Sequence, residues 1–226
     1  MNIAIIPARK NSQRIKNKNI KTFNGKPIIF WSIKTALKSK LFKDVFVSTD
    51  SKTIAQHAVK YGAKVLFPRP TKLSDARSTI MDVIKFEIKN LEIKKFKFDN
   101  VCCIFPATPF LRAKYLSEGL RLLKKSKLKG FIFAGNKHPR SNLRAFYFKK
   151  KKLNLIQANF KNTRTQDLPN TYIDAGQFYW GAKKLWKKES SVFIRSSNIL
   201  LLPRSKSVDI DNMRDWKEAE FYAKKK

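Results

Sequence analysis

An α/β fold with a mostly parallel central sheet and a β-rich insertion is what the order of apolar segments in this chain predicts. Short buried-type runs alternate with amphipathic segments across residues 1–135, the rhythm of parallel strands joined by right-handed helical crossovers. Across 136–198 that rhythm gives way to aromatic, strand-like pieces separated by turn signals, and from 199 to 226 it returns. At 226 residues the chain can bury a full core, and it suits one α/β domain carrying an elaboration of its own.

Ile3-Ala4-Ile5-Ile6-Pro7 reads as a first, buried strand. Pro27 heads an amphipathic helix from Ile28 to Ser39, with Ile29, Ile33, Ala36 and Leu37 at helical spacing. Val45-Phe46-Val47 forms a second strand ending at Ser48-Thr49-Asp50, and a helix from about Lys52 to Lys60 closes at Gly62. Ala63 to Phe67 is expected as the third strand, with Arg69-Pro70 leaving its end. A helix near Thr79 to Leu91, a strand at Asn100 to Phe105, a helix near Lys114 to Lys125 and a strand at Phe131 to Ala134 complete the first part. Inside the insertion, Phe146-Tyr147-Phe148, Leu153 to Gln157, Tyr172-Ile173 and Phe178-Tyr179-Trp180 are strand pieces, and the run Lys149 to Lys152 is a solvated hairpin tip. A strand near Ile199 to Leu202, the segment Val208-Asp209-Ile210-Asp211 and a helix from about Arg214 to Lys224 return to the core.

The formal net charge of +34 would by itself suggest nucleic acid or an anionic membrane surface as a partner. The details argue against both. Lysines outnumber arginines about three to one and are spread from Lys10 to Lys226, whereas arginine is the better residue for bidentate phosphate reading. No zinc spacing or nucleic-acid motif accompanies the charge. In so basic a chain the sixteen acidic residues are informative, and Asp50, Asp75, Asp174, Asp209 and Asp211 fall in motif-like places. Cys102 and Cys103, the only cysteines, are adjacent on a strand and face opposite sides of its sheet, so both are expected reduced, buried and inert. No apolar run approaches the roughly 20 residues that span a bilayer, and Met1 leads straight into the first strand, so a cytoplasmic location is expected.

The first strand empties into the cationic segment Ala8-Arg9-Lys10-Asn11-Ser12-Gln13-Arg14-Ile15-Lys16-Asn17-Lys18-Asn19. At the carboxyl edge of an α/β sheet, such a loop can offer backbone N–H groups and cations to a phosphate; read on spacing alone, it is equally a solvated loop. Neither G-x-x-x-x-G-K-[ST] nor G-x-G-x-x-G occurs among the seven glycines, which counts against P-loop NTPases and dinucleotide oxidoreductases. In Val208-Asp209-Ile210-Asp211, an extended backbone would aim both carboxylates at one face, a good arrangement for Mg²⁺. The alternative is that Asp211 N-caps the following helix, and the four residues alone slightly favour the cap.

The opening segment resembles I-P-A-R-G-G-S-K-R-I-P-x-K-N-I of the CMP-sialic acid synthetase family, cytidylyltransferases that activate nine-carbon acidic sugars. Ile6 to Arg9, Ser12, Arg14, Ile15 and Lys18 to Ile20 match, while Lys10-Asn11 stands for the glycine pair, Gln13 for lysine and Lys16 for proline. Asn11 is expected to take a left-handed turn in place of glycine. Val47-Ser48-Thr49-Asp50, Arg69-Pro70 with Leu73-Ser74-Asp75, and Val208 to Asp211 match further family elements in order. Thr163-Arg164-Thr165-Gln166-Asp167-Leu168 and the unbroken Asp174-Ala175-Gly176-Gln177-Phe178-Tyr179-Trp180-Gly181 are similar to the branch that activates pseudaminic acid. Phe105-Pro106-Ala107-Thr108-Pro109 departs from the Q-P-T-S-P of typical sialic acid synthetases.

The resemblance implies a Rossmann-like nucleotidyltransferase sheet with an inserted β-rich dimerisation subdomain, hence a homodimer. It implies CTP and a nine-carbon acidic sugar as substrates, with sialic, legionaminic or Kdo-type acids as alternatives to pseudaminic acid, and no specific nucleic acid or membrane partner. By the same resemblance Arg9, Lys18 and Asp211 are catalytic; Arg9, Asn11, Ser12, Arg14, Lys18, Arg69, Ser78 and Thr79 meet the nucleotide. Arg164, Gln166, Asp174, Gln177 and Phe193 meet the sugar, Phe193 near the junction with a second subunit, and Asp209 and Asp211 bind Mg²⁺.

Overall fold

The computed structural model describes residues 1–65, 68–75 and 77–224. Ten strands and six α-helices occur among them, with short 3₁₀ turns between: β1 (Asn2–Pro7), β2 (Thr22–Phe23), β3 (Lys26–Pro27), α1 (Ile28–Lys38), β4 (Asp44–Ser48), α2 (Lys52–Lys60), α3 (Ile80–Ile93), β5 (Asn100–Ile104), α4 (Ala113–Lys125), β6 (Ile132–Lys137), β7 (Phe146–Lys149), β8 (Lys152–Leu155), β9 (Tyr172–Ala182), α5 (Lys183–Lys188), β10 (Asn198–Leu201) and α6 (Met213–Lys224). Six strands form one sheet in the order β10-β6-β9-β5-β1-β4. Its neighbours pair in parallel except β9, which runs antiparallel to both β5 and β6.

Alternation along the strands splits the core between the two faces. Ala4 and Ile6 of β1, Cys102 and Ile104 of β5, and Phe178 and Trp180 of β9 meet α1, α2 and α4 on one face. Ile3 and Ile5, Val101 and Cys103, and Tyr179 meet α3 and α5 on the other. Both cysteines are free and buried, as expected, and burial pushes their thiols up. A third, smaller cluster joins Ile15, Phe23, Ile28, Phe110, Ile210, Trp216 and Ala219 beneath α6.

The helix ends follow local chemistry. Ser51 caps α2 by accepting from Ile54 N–H, and Gly62 follows its end at φ 89°. Thr79 and Asp82 close a capping box on α3. Of the expected third strand, Lys64 bridges Phe46 in parallel, and residues 66 and 67 lie outside the described residues. The pair Asn24-Gly25, both at positive φ, turns β2 into β3, a two-residue hairpin that its Asn-Gly sequence signals.

The segment 136–198 divides. Tyr172–Ala182, expected as pieces of the insertion, forms β9 within the main sheet, and α5 packs on the core after it. The physical reason is burial: from Gln177 to Ala182 the strand is buried without interruption, which a peripheral position could not provide. What stands outside the sheet is the hairpin β7-β8 and its flanking turns, with Lys150 and Lys151 at its tip at positive φ. Among the described residues no helix is long and apolar enough to cross a membrane.

Candidate active site

Past the carboxyl ends of β1 and β5, a cleft of about 420 Å³ opens between the 8–19 loop, the 69–80 segment, the 105–107 turn and Asp174, Gly176, Asp209 and Asp211. This edge of an open α/β sheet is where ligands bind. The third core cluster assembles the cleft. Ile15, in the first loop, and Ile210, between the two aspartates, are both buried in the group that contains Trp216. Burying Ile210 turns Asp209 and Asp211 out together, so the alternation read in the sequence is realised without a regular strand.

The rival assignment for Asp211 is overturned, because Asn212 caps α6. Its Oδ1 accepts from the N–H groups of Arg214 (2.8 Å) and Asp215 (3.1 Å), and Asp215 Oδ2 accepts from the N–H groups of Asn212 (3.0 Å) and Asp211 (2.9 Å). The Asp211 carboxylate is thereby free to pair with Arg14 at 2.8 Å and to face Lys18 at 3.8 Å. Lys18 also donates to Ile210 O at 2.8 Å. Burial lowers the Lys18 pKa, and Asp211 and Asp209 oppose that shift. Asp209 is pushed up to about 6, by burial first and then by the like charge of Asp211.

Gly176 sits at φ 57°, and a Cβ there would lie 3.1 Å from Asp209 Oδ2, so this position needs glycine on both conformational and steric grounds. Asp174 Oδ1 accepts from Gly176 N–H at 3.0 Å, and its Oδ2 accepts from the Tyr179 hydroxyl. Burial raises the Asp174 pKa. On the opposite wall, Arg9 donates to Asp75 O at 3.0 Å, and Asn19 donates to Arg9 O at 2.9 Å. Asp75 Oδ1 accepts from Arg77 N–H and from both the N–H and hydroxyl of Ser78, hydrogen bonds that hold its pKa below the usual carboxylate range. Thr79 spends its hydroxyl on the α3 cap.

Arg9, Ser12, Arg14, Lys18, Arg69, Ser78, Thr79, Asp174, Asp209 and Asp211 all line this one cleft. With those residues gathered, the comparisons with known proteins become specific. The sequence from 3 to 223 matches the family model described as Cytidylyltransferase. The chain belongs to that family. It is 36% identical to the pseudaminic acid cytidylyltransferase of Campylobacter jejuni over 224 residues, 99% of this chain and 96% of that protein. It is 38% identical over 215 residues to a Helicobacter pylori protein named as pseudaminic acid cytidylyltransferase and UDP-2,4-diacetamido-2,4,6-trideoxy-beta-L-altropyranose hydrolase, matching 94% of this chain and 40% of that longer one. The structure of a CMP:2-keto-3-deoxy-manno-octonic acid synthetase complexed with CTP superposes with a TM-score of 0.70 at 14% identity, covering 99% of this chain and 98% of that one. At that identity the likeness speaks for the fold.

Several expectations for individual residues change. Asn11 is exposed and is not among the cleft's lining residues, and the left-handed position in this loop is Asn17, at φ 53°. Gln177 is 2% exposed and donates to Lys206 O at 2.7 Å. It ties β9 to the segment that precedes Asp209 through its amide nitrogen, and it is not among the residues that line the cleft. Arg164 and Gln166 are exposed on the insertion, away from the lining of the cleft. Phe193, 60% exposed, sets its ring edge to face with Phe133 at 5.2 Å and Tyr179 at 6.3 Å, next to a lining residue of the cleft without lining it itself. Sequence reasoning missed Asn19, Phe105 and Tyr179 as lining residues. Asn19 and Tyr179 each lay inside a matched motif, which was the available signal.

Asp209 and Asp211 fit a divalent ion. Mg²⁺ keeps most of its waters and is held by one or two carboxylates together with substrate phosphates, and both aspartates line the cleft on the side where the cations Arg14 and Lys18 stand. Among the described residues no cluster of three or more His, Cys, Asp or Glu side chains offers a complete protein cage.

Proposed function

We propose that this cytidylyltransferase activates pseudaminic acid: CTP and the sugar acid give the CMP-sugar and pyrophosphate. The observation that carries the reading is full-length similarity to relatives of that name, joined to a cleft in which the phosphate-type cations and the paired aspartates meet. The anomeric hydroxyl of the sugar attacks the α-phosphorus in line; the new O–P bond forms as the bond to the β-phosphate oxygen breaks, and the hydroxyl proton leaves to solvent. Positioning and charge neutralisation carry most of such a reaction.

Arg9, Arg14 and Lys18 hold the triphosphate, with Ser12 beside them, and Ser78 and Thr79 lie along the nucleoside. The family generally uses a divalent metal ion; Asp209 and Asp211 would hold Mg²⁺, which supplies charge neutralisation at the reacting phosphate oxygens. Asp174, fixed by Tyr179 and Gly176 N–H, faces the sugar.

The insertion supports a homodimer. Phe146, Tyr147, Phe148, Leu153 and Ile156 are all exposed, a density of apolar side chains that a second copy would cover. In such a dimer Arg164 and Gln166 act at the partner's sugar site, Arg164 through the sugar carboxylate. The test is pyrophosphate release from CTP with pseudaminic, legionaminic, N-acetylneuraminic and Kdo acids in competition. Pseudaminic acid is expected to have the highest kcat/KM. A preference for N-acetylneuraminic acid refutes the sugar assignment and leaves the family intact.

A further inference from the structure

The buried face of α3 consists of Met81, Val83, Ile84, Ile88, Leu91 and one carboxylate, Glu87, which is 4% exposed. A carboxylate in such surroundings is costly unless a partner compensates. The charged group acting on it is the Arg69 guanidinium, and the Ser48 hydroxyl at the end of β4 lies beside it. Arg69 is itself only 5% exposed, although it borders the cleft. Its Nε donates to Ser74 Oγ at 3.1 Å, its N–H to Thr49 O at 2.9 Å, and its Nη2 stands 3.8 Å from Asp50 Oδ1. Asp50 Oδ1 accepts from Lys10 N–H at 2.7 Å, at the start of the first cleft loop. Among the described residues Glu87 Oε1, Ser48 Oγ and Arg69 Nη2 are buried without a hydrogen-bond partner, so the guanidinium is held by its Ser74 hydrogen bond and by the charges near it rather than by a closed ring.

We propose that Glu87 is a positioning residue for nucleotide binding: with Asp50 it supplies the negative charge that keeps the buried Arg69 guanidinium in place, and Arg69, through Ser74, fixes the wall of the cleft formed by Leu73, Asp75 and Ser78. The proposal rests on the reading of this cleft as the CTP site. It gives a reason for an acid on an otherwise apolar helix face, because a guanidinium withdrawn from water takes its direction from the charges around it. It also changes the expected role of Arg69 from a nucleotide contact to the link between the first cleft loop and the second.

Glu87→Gln keeps the shape and removes the charge, and Ser74→Ala removes the acceptor at the other end of the link. Two measurements test the idea: the Kd for CTP by calorimetry at pH 8.5 and pH 5.5, and amide hydrogen exchange of the ligand-free protein. At pH 8.5 Glu87→Gln is expected to weaken CTP binding roughly 2- to 30-fold. At pH 5.5, where burial has left the native carboxyl protonated, the ratio of the two Kd values should approach one, and titrations common to both proteins cancel in that ratio. Exchange should quicken at residues 73–79 in both variants while β1 and β5 keep their protection. Unchanged CTP affinity at pH 8.5, or an equal loss at both pH values, overturns the proposal. Wild-type protein that fails to bind CTP while the exchange response persists overturns the assignment of the cleft and leaves the link itself standing.

Discussion

Replacing Glu87 by Gln is expected to make the protein more stable at alkaline pH, in proportion to what the buried charge costs. Burial pushes the Glu87 carboxyl from its ordinary 4.5 up to about 7. At Glu87 the folded protein therefore binds more protons than the unfolded chain across that window, so this group's contribution to stability is greatest below pH 4.5 and is lost as pH rises through 7. At 1.36 kcal/mol for each pH unit, the gap corresponds to about 3 kcal/mol by pH 8.5. Glutamine has no ionisation to oppose and carries a pH-independent cost for its buried amide, which cancels when one protein is compared with itself at two pH values. The assay is urea unfolding of both proteins at pH 5 and pH 8.5. The stability difference between Glu87→Gln and wild type should shift by about 2.5 kcal/mol in favour of the variant on going from pH 5, where part of the charge cost is already present, to pH 8.5, equivalent to roughly 5–10 °C in Tm for a chain of this size. Parallel pH curves for the two proteins would refute the reasoning, since they would mean that the carboxyl does not titrate with folding. A more stable protein that binds CTP less well would also remove misfolding as an explanation of the weaker binding.

Asp211→Asn should fold with an unchanged Tm, because Asn212 and Asp215 supply the α6 cap, and should lose roughly 100-fold in turnover; near-normal pyrophosphate release would restore a structural role for Asp211. Gly176→Ala should cost about 1–2 kcal/mol for the left-handed backbone and lower kcat about 10-fold or more by moving Asp209, read by urea unfolding and by kinetics on one preparation. The +34 charge should give duplex DNA only weak, salt-sensitive binding without sequence preference; sub-micromolar, sequence-selective binding at physiological salt would contradict it.

The core strands and helices were legible because their signals are local. Apolar alternation in Ile3 to Ile6, helical spacing from Ile28 to Leu37 and a Ser51-to-Gly62 frame around α2 each specify an element without knowledge of its neighbours. The position of β9 was not legible. Phe178-Tyr179-Trp180 announces a buried strand, but whether it lies in an insertion or between β5 and β6 depends on partners more than 40 residues away in sequence. Helix α5, six residues with four lysines, carries too little periodicity to read. In the site, motif positions located the cleft, but function within a motif depends on which way a side chain turns. Asp174 and Gln177 belong to one eight-residue string, yet the first borders the cleft and the second is committed to Lys206.

The scarcity of acids sharpens that distinction. In a chain of net charge +34, the general field favours ionised carboxylates, and several acids are held low by specific partners: Glu92 by Lys187 and Lys183, Glu118 by Arg121, Asp82 by the Thr79 cap. Asp174, Asp209 and Glu87 run the other way, each raised chiefly by burial despite the surrounding positive charge. Two of them border the cleft, and the third acts on Arg69, which also borders it. An acid that only tuned solubility would sit in water, and one that only stabilised the fold would have a closed ion pair. Buried acids with raised pKa values beside one cleft are the pattern expected of a functional site, because burial of a carboxyl costs stability that a purely structural position has no reason to carry, and the same cost explains why that region is where stabilising substitutions should weaken binding.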